Sequence, residues 1–337
     1  MPRLDSNDVQ DILNTRLTRM FGVKYPIIQA GMGYLARDEM AAAVSEAGGL
    51  GILGSSGDLT PDGLDKEIKA VKERTSKPFG VNFLFATYDD SPAGRRKARE
   101  LDEMVDVALG HDLAVIGAGL GVPPEDVIRR AKSAGTLVMC TTGATRHVVK
   151  AQEAGVDVVV AQGWEAGGHN SRVGSMALLA QVNQVARVPF AAAGGFASGG
   201  GLVAALALGA SAVYMGTVFA ASLESRAHEN FKDALISAKD TDTVVSAAHS
   251  GKPARLLRNE FTDYFERHPE ELKPFPVQFE LMEPRAVEVR VEGKIDRGGA
   301  PAGQITGYLK VKESVRAIID RVVGEAEAVL TDQIYDR

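Results

Sequence analysis

The chain has 337 residues, of which 45% are hydrophobic and 24% are charged, with a formal net charge of −6 and one cysteine. This balance excludes disorder as the main state, and a chain of this length can bury a sizeable core. One cysteine cannot form an internal disulfide, which fits a reducing compartment. The mild negative charge argues against nucleic acid or an anionic membrane as the partner.

No targeting or membrane segment is expected. The first 17 residues include acidic side chains and no apolar run, unlike a signal peptide. The most apolar stretch, residues 202–221, contains Gly209 and Gly216, and we predict a helix, a turn and a strand there rather than one membrane span. We therefore expect a cytoplasmic protein without a membrane partner.

Short apolar runs recur along the chain and predict eight strands. Each is continuously apolar rather than alternating, which is typical of strands buried on both faces of a parallel sheet. The predicted strands cover residues 26–29, 51–53, 79–84, 113–117, 137–141, 158–162, 190–193 and 212–215.

Helical patterns separate these strands, and several end at a glycine that stops the helix. The predicted helices cover residues 36–47, 62–75, 95–109, 125–134, 144–154, 175–186 and 201–208. Eight strands alternating with helices predict a (β/α)8 TIM barrel. An open doubly wound sheet is the alternative. It is disfavoured because Ala30-Gly31-Met32-Gly33 after the first strand is not the GxGxxG fingerprint.

The pattern changes after residue 221. We predict a barrel over residues 15–221 and a charged, helical cap over 222–300. Residues 301–337 would form a last loop and a helix over 313–330 that closes on the barrel. No low-complexity linker separates the cap, so we expect it to pack over the barrel mouth.

The C-terminal ends of the strands, where barrels place their active sites, hold many glycines and few charges. Backbone N–H groups at glycine turns bind phosphate, and barrels place this site after strands seven and eight. Two glycine turns on these strands favour a monophosphate flavin over a nicotinamide dinucleotide. The phosphate candidates are Gly194, Gly195, Gly216 and Thr217. The other cofactor candidates are Ala30, Gly31, Met32, Asn82, Gln162, Gly167, Gly168, Ala193 and Met215.

His169 is the candidate catalytic residue. It follows two glycines at the end of strand six, and imidazole is the side chain best matched to proton transfer near neutral pH. We expect His228, His249 and His268 in the cap to be solvated, and Cys140 to be a buried, inert thiol. His147 lies near the start of the helix after strand five, where we expect it either to cap that helix or to touch the edge of the site. The sequence has no HExxH, CxxC or GxSxG motif, so neither a metal site nor a serine hydrolase is predicted.

Four motifs in order resemble the nitronate monooxygenase family, once called 2-nitropropane dioxygenase. They are Pro26-Ile27-Ile28-Gln29-Ala30-Gly31-Met32, Gln162-Gly163-Trp164-Glu165-Ala166-Gly167-Gly168-His169, Ala193-Gly194-Gly195-Phe196-Ala197, and Leu206-Ala207-Leu208-Gly209-Ala210 leading into Met215-Gly216-Thr217. The resemblance runs from about residue 15 to 330. It implies an FMN-binding TIM barrel in which His169 abstracts the α-proton of a nitroalkane or contacts a nitronate. With O2 as co-substrate, the products would be a carbonyl compound and nitrite.

The same resemblance leaves a second activity open. The barrel is similar to FMN-dependent enoyl-acyl-carrier-protein reductases and NAD(P)H:quinone reductases. The quinone reductases carry a Pro-Pro-rich loop after strand three, whereas residues 83–92 here contain only Pro92. Many relatives have a lysine where Met139 stands. A flavin-binding protein without turnover is a third hypothesis, which the position of His169 disfavours. A homodimer is compatible with all three.

Overall fold

The computed structural model describes residues 6–57, 59–85 and 92–331. Eight parallel strands form its central sheet, each within two residues of its predicted bounds. They are β1 (Ile27–Gln29), β2 (Gly51–Gly54), β3 (Phe79–Leu84), β4 (Val115–Gly119), β5 (Leu137–Thr142), β6 (Val158–Gln162), β8 (Phe190–Ala193) and β9 (Ala212–Met215). A two-residue strand, β7 (Gly168–His169), follows β6 and lies outside this sheet.

The eight strands close into a barrel. Their order is β1-β9-β8-β6-β5-β4-β3-β2, and a parallel bridge between Ile28 and Leu50 joins the first strand to the segment that leads into β2. The (β/α)8 prediction is therefore confirmed, and closure excludes the open doubly wound sheet.

The helices of the barrel and its N-terminal approach are α1 (Ser6–Leu13), α2 (Arg16–Phe21), α3 (Asp38–Glu46), α4 (Pro61–Arg74), α5 (Pro92–Leu109), α6 (Glu125–Ser133), α7 (Thr145–Glu153), α8 (Ser175–Val185), α9 (Gly199–Ala207) and α10 (Thr217–Ala220). The seven predicted helices of the barrel are present as α3 to α9, whereas α1, α2 and α10 were not predicted. The remaining helices are α11 (Glu229–Ser237), α12 (Glu260–Arg267), α13 (Val277–Arg290) and α14 (Val315–Leu330), with short 3-10 turns at Pro269–Glu271, Ile295–Arg297 and Gln304–Tyr308.

Two apolar clusters account for the continuous apolar strands. The larger cluster lies between the strands and the surrounding helices. The smaller one contains Val115, Met139 and Val160, and it is completed by Leu17 and Phe21 of α2. Because successive side chains of a strand point to opposite faces, seven of the eight barrel strands supply both clusters and are apolar on both faces. Strand β3 supplies only the larger cluster, since Gly80 and Asn82 occupy its other face.

The segment 222–300 differs from its prediction as a helical cap. It contains α11, α12 and α13, but also the strands β10 (Thr243–Ser246) and β11 (Ala254–Leu257). The β-branched run Thr243-Val244-Val245 favours a strand over a helix, which explains the difference. Strand β11 pairs antiparallel with β10 and with β7, opposing Ala254 to His169. We call residues 222–300 the cap below.

The loop compared above with the Pro-rich loop of quinone reductases includes residues 86–91, which lie outside the described residues. Within the described ranges, no helix has both the length and the apolar character needed to cross a bilayer.

Candidate active site

A cavity of about 280 Å³ opens at the C-terminal ends of the barrel strands, between the barrel and the cap. All but one of the predicted site residues line it. These are His169, Ala30, Gly31, Met32, Asn82, Gln162, Gly167, Gly168, Ala193, Gly194, Gly195, Gly216 and Thr217. Eight polar residues that were not predicted as site residues also line the cavity, namely Tyr34, Ser56, Thr141, Glu165, Tyr214, His249, Glu283 and Arg290.

Met215 is the predicted residue that does not line the cavity. Its side chain is 1% exposed and packs in the cluster between strands and helices. Because successive side chains of β9 point to opposite faces, the side chain of the neighbouring Tyr214 points to the inside of the barrel. The Tyr214 hydroxyl accepts a hydrogen bond of 3.1 Å from the Gly31 amide, and burial raises the pKa of Tyr214 to about 12. The phenol is therefore protonated at neutral pH.

His169 stands on β7 at the cavity wall. Its Nε2 atom lies 2.6 Å from the Ser250 hydroxyl, and its carbonyl oxygen accepts a hydrogen bond from the Gln162 amide. Burial, with smaller effects from the charges of Lys252 and Arg290, lowers the pKa of His169 to about 4. The imidazole is therefore neutral at physiological pH, which is the form that a general base requires.

His249, predicted to be solvated, is 7% exposed and lines the same cavity. Its ring centroid lies 6.3 Å from that of His169, and its Nε2 atom lies 3.5 Å from an Arg290 nitrogen. Burial and the nearby Arg290 charge lower the pKa of His249 well below its usual value. The prediction was wrong because the loop after β10 folds back over the barrel mouth.

Helix α13 of the cap brings one cation and one carboxylate to the cavity. The Arg290 guanidinium lies 5.7 Å from the ring centroid of Tyr34, and the Tyr34 hydroxyl donates to Glu283 Oε1. Tyr34 has a φ of +67°, a conformation that costs energy for a residue with a side chain. These contacts join α13 to the loop after β1.

The glycine turn after β8 contacts the N-terminus of helix α8. Gly194 and Gly195 have φ values of +98° and +83°, which glycine adopts without penalty. Ser175, the first residue of α8, has its hydroxyl 2.8 Å from both Gly194 O and Glu165 Oε2. The Ser175 amide donates to the same carboxylate at 2.9 Å. The negative charge of Glu165 is thus bound at a helix N-terminus.

Two other glycines leave room for a ligand or for close packing. A β-carbon on Gly216 would meet nothing nearer than the Ala30 Cβ at 3.6 Å, so the space beside it belongs to the cavity. A β-carbon on Gly31 would lie 2.4 Å from the Asn82 Cβ, so the approach of the β1 loop to β3 requires glycine.

The remaining candidate residues lie away from this chemistry. Cys140 is 1% exposed and burial raises the pKa of its thiol to about 12, which confirms an inert thiol. Met139 packs inside the barrel, and His147 is exposed at the start of α7. Among the described residues, His268, Glu270 and Glu271 bring ligand atoms within 4.8 Å of one another on the cap, and none of the three lines the cavity.

Known proteins resemble this chain over most of its length. Residues 14–325 match the family model for nitronate monooxygenase. A probable nitronate monooxygenase of Staphylococcus saprophyticus is 32% identical over 94% of this chain and 99% of its own length. A second, from Staphylococcus aureus, is 35% identical over 79% of this chain and 84% of its own length.

Two solved structures share the whole fold. FabK from Thermotoga maritima superposes with a TM-score of 0.85 and 36% identity, covering 96% of this chain and 99% of that one. Nitroalkane oxidase from Streptomyces ansochromogenes gives a TM-score of 0.83 and 32% identity, covering 94% and 99%. The chain belongs to the nitronate monooxygenase family and is a flavin-dependent oxidoreductase built on a TIM barrel.

Proposed function

We propose that the protein is an FMN-dependent nitronate monooxygenase that oxidises alkyl nitronates, and nitroalkanes, with O2 to carbonyl compounds and nitrite. The observation that carries this proposal is the neutral His169 in one cavity with the Arg290 cation. A neutral base can accept the α-proton of a nitroalkane, and a fixed cation stabilises the anionic nitronate in a site of low dielectric.

FMN fits the residues at the barrel mouth. A β-carbon on Gly195 or Gly216 would meet no atom nearer than 3.5 Å, so the space beside these two glycines can hold a ligand, whereas Gly194 packs closely against Ser175. Backbone N–H groups at such turns are phosphate ligands. Asn82 and Gln162 offer amides to the edge of a flavin ring, and the protonated Tyr214 offers a donor. When bound, the flavin supplies the electron-accepting ring, and O2 completes the oxidation.

His169 would act before the oxidation when the substrate is a neutral nitroalkane. The imidazole takes the proton from the α-carbon, and the electron pair of the C–H bond forms the C=N bond of the nitronate. The negative charge then rests on the nitro oxygens, where Arg290 can stabilise it. A preformed nitronate needs no such step.

A second candidate is the reduction of an enoyl thioester or quinone with NAD(P)H. It is favoured by the likeness to FabK, whose TM-score and identity slightly exceed those of the nitroalkane oxidase. Anaerobic mixing of the flavin-loaded protein with NADH, NADPH and propyl-2-nitronate in turn tests both. Fast bleaching by the nitronate alone supports the oxidase, and fast bleaching by a nicotinamide alone refutes it.

A further inference from the structure

Ser250 is the hydrogen-bond partner of the His169 ring. The two residues are 81 positions apart, and the Ser250 side chain is fully buried in the loop between β10 and β11. Its Oγ atom lies 2.6 Å from His169 Nε2, the shortest of its contacts. The other ring nitrogen, Nδ1, is not part of this hydrogen bond.

The other contacts of Ser250 allow its hydroxyl to be the acceptor in the hydrogen bond with His169. Its Oγ atom receives the Lys252 amide at 3.3 Å and lies 3.4 Å from the Lys252 carbonyl oxygen. A hydroxyl has two acceptor lone pairs and one proton. With the Lys252 amide on one lone pair, Oγ can accept the Nε2 proton of His169 on the other and donate its own proton to the Lys252 carbonyl. Every hydrogen-bonding group of Ser250 is then used.

We propose that Ser250 is a positioning residue that keeps the imidazole proton of His169 on Nε2 and thereby leaves the Nδ1 lone pair for the substrate. This inference rests on the proposed function. In the proton-transfer step the α-carbon proton of a nitroalkane moves to Nδ1, and the C–H electron pair becomes the C=N bond. The resulting imidazolium carries a proton on each nitrogen, and its Nε2 proton stays on Ser250.

The bond should matter more to the imidazolium than to the neutral ring. A hydrogen bond with an ionised donor is about twice as strong as a neutral one, so Ser250 stabilises the product of proton abstraction more than its starting state. The described cationic groups near the ring, Lys252 and Arg290, act in the opposite direction because they repel the imidazolium. Ser250 is thus the neighbour that favours proton uptake.

Kinetics of Ser250→Ala in the flavin-loaded enzyme test this role. We expect turnover of a neutral nitroalkane to fall roughly 10- to 100-fold, the factor for losing a hydrogen bond to a charged group. Turnover of the preformed nitronate should fall less than about threefold, and flavin content should not change. Ser246→Ala is the matched control. It removes a hydroxyl of the neighbouring strand that accepts the Ala248 amide at 3.1 Å. Equal losses on both substrates, or no loss on either, would overturn the proposal.

The position of the imidazole proton gives a readout independent of turnover. Nitrogen NMR of the flavin-loaded, ¹⁵N-histidine-labelled protein, assigned by comparison with His169→Asn, should show a protonated Nε2 and an unprotonated Nδ1. In Ser250→Ala the two tautomers should become mixed. A wild-type proton on Nδ1 refutes the role of Ser250 whatever the substrate. If the enzyme oxidises neither nitro compound, the proposed function fails while the NMR experiment still decides about Ser250.

Discussion

The Gly303 amide donates a hydrogen bond of 2.9 Å to the Thr217 hydroxyl, so the loop before α14 is joined to the turn after β9. A β-carbon on Gly303 would also lie 2.9 Å from the Glu165 carbonyl oxygen. One glycine of the last loop therefore contacts two of the segments that line the cavity. The proposed phosphate end of the site is built from three parts of the chain that are far apart in sequence.

A negative charge at Gly195 should remove the cofactor. We expect Gly195→Asp to purify with most of its FMN lost, because the carboxylate would repel the phosphate held by the glycine turns. Gly195→Asn is the matched control, since it has the same φ constraint and nearly the same size without the charge. Absorbance of the bound flavin measures both. An unchanged FMN content in Gly195→Asp would mean that the phosphate does not bind at this turn.

Loss of the His169 imidazole should separate two substrates. We expect His169→Asn to lower turnover of a neutral nitroalkane by about 10²–10⁴-fold, the usual contribution of a general base. Turnover of the preformed nitronate should fall less, and FMN content should stay unchanged. Steady-state kinetics on both substrates measure the difference. Equal losses would mean that His169 binds the nitro group without acting as a base.

Sequence patterns were sufficient for the barrel and for the glycine turns. Strands buried on both faces are continuously apolar, and the glycines follow directly after them, so Gly194 and Gly216 could be placed at the barrel mouth. Alternation along β9 could also have identified Tyr214 as the inward residue. Met215 was predicted instead because it is the last residue of the strand, and the prediction did not consider to which face of the strand its side chain points.

The cap residues of the site could not be placed in this way. His249 lines the cavity and Ser250 contacts His169 because β11 pairs with β7, a strand of two residues. Arg290 lines the cavity from helix α13. A strand of two residues is too short to show the alternation of apolar and polar residues that predicts a strand. Its partner β11 also lies more than eighty positions away in the sequence. The β-branched run at 243–245 was the one local signal that a strand, and so a fold-back, occurs in the cap.

Arg290 should determine the affinity for anionic substrates. We expect Arg290→Gln to raise KM for a nitronate by about 10-fold, because one charged hydrogen-bond donor to the anion is lost. KM for a neutral nitroalkane should change little, and Arg290→Lys should recover part of the loss. Arg297→Gln, which changes a cap arginine with 58% of its side chain exposed, is the control. Equal changes of KM for both substrates would contradict the assignment.

Acid should destabilise the protein through His169. The folded-state pKa of His169 is depressed from 6.5 to about 4, so the unfolded chain binds the proton first as pH falls. The contribution to stability is present above pH 6.5 and is lost as pH falls towards 4, with about 2 kcal/mol lost between pH 7 and 5. Urea unfolding at both pH values should show a smaller loss in His169→Gln. An equal loss in both proteins would refute this effect.

The C-terminal part should not fold alone. Helix α14 buries Ile318, Ile319 and Val322 in the same apolar cluster as the barrel strands and helices, and β11 needs β7 as a partner. We expect an isolated fragment of residues 222–337 to show no cooperative thermal transition by circular dichroism. A sharp transition would show that the cap and last helix form an independent domain.

The antiparallel pairing of β7 with β11 joins His169, the proposed proton acceptor, to the cap side of the cavity. His169 lies on β7, and the loop that contains Ser250 leads into β11, which pairs with β7 in one small sheet. A change in the cap that shifts β11 therefore also shifts the imidazole of His169. We therefore expect that the cap cannot be exchanged between related barrels without also changing the position of His169. A chimera that transplants residues 243–257 should keep its activity only when the Gly168–His169 segment is transferred with it.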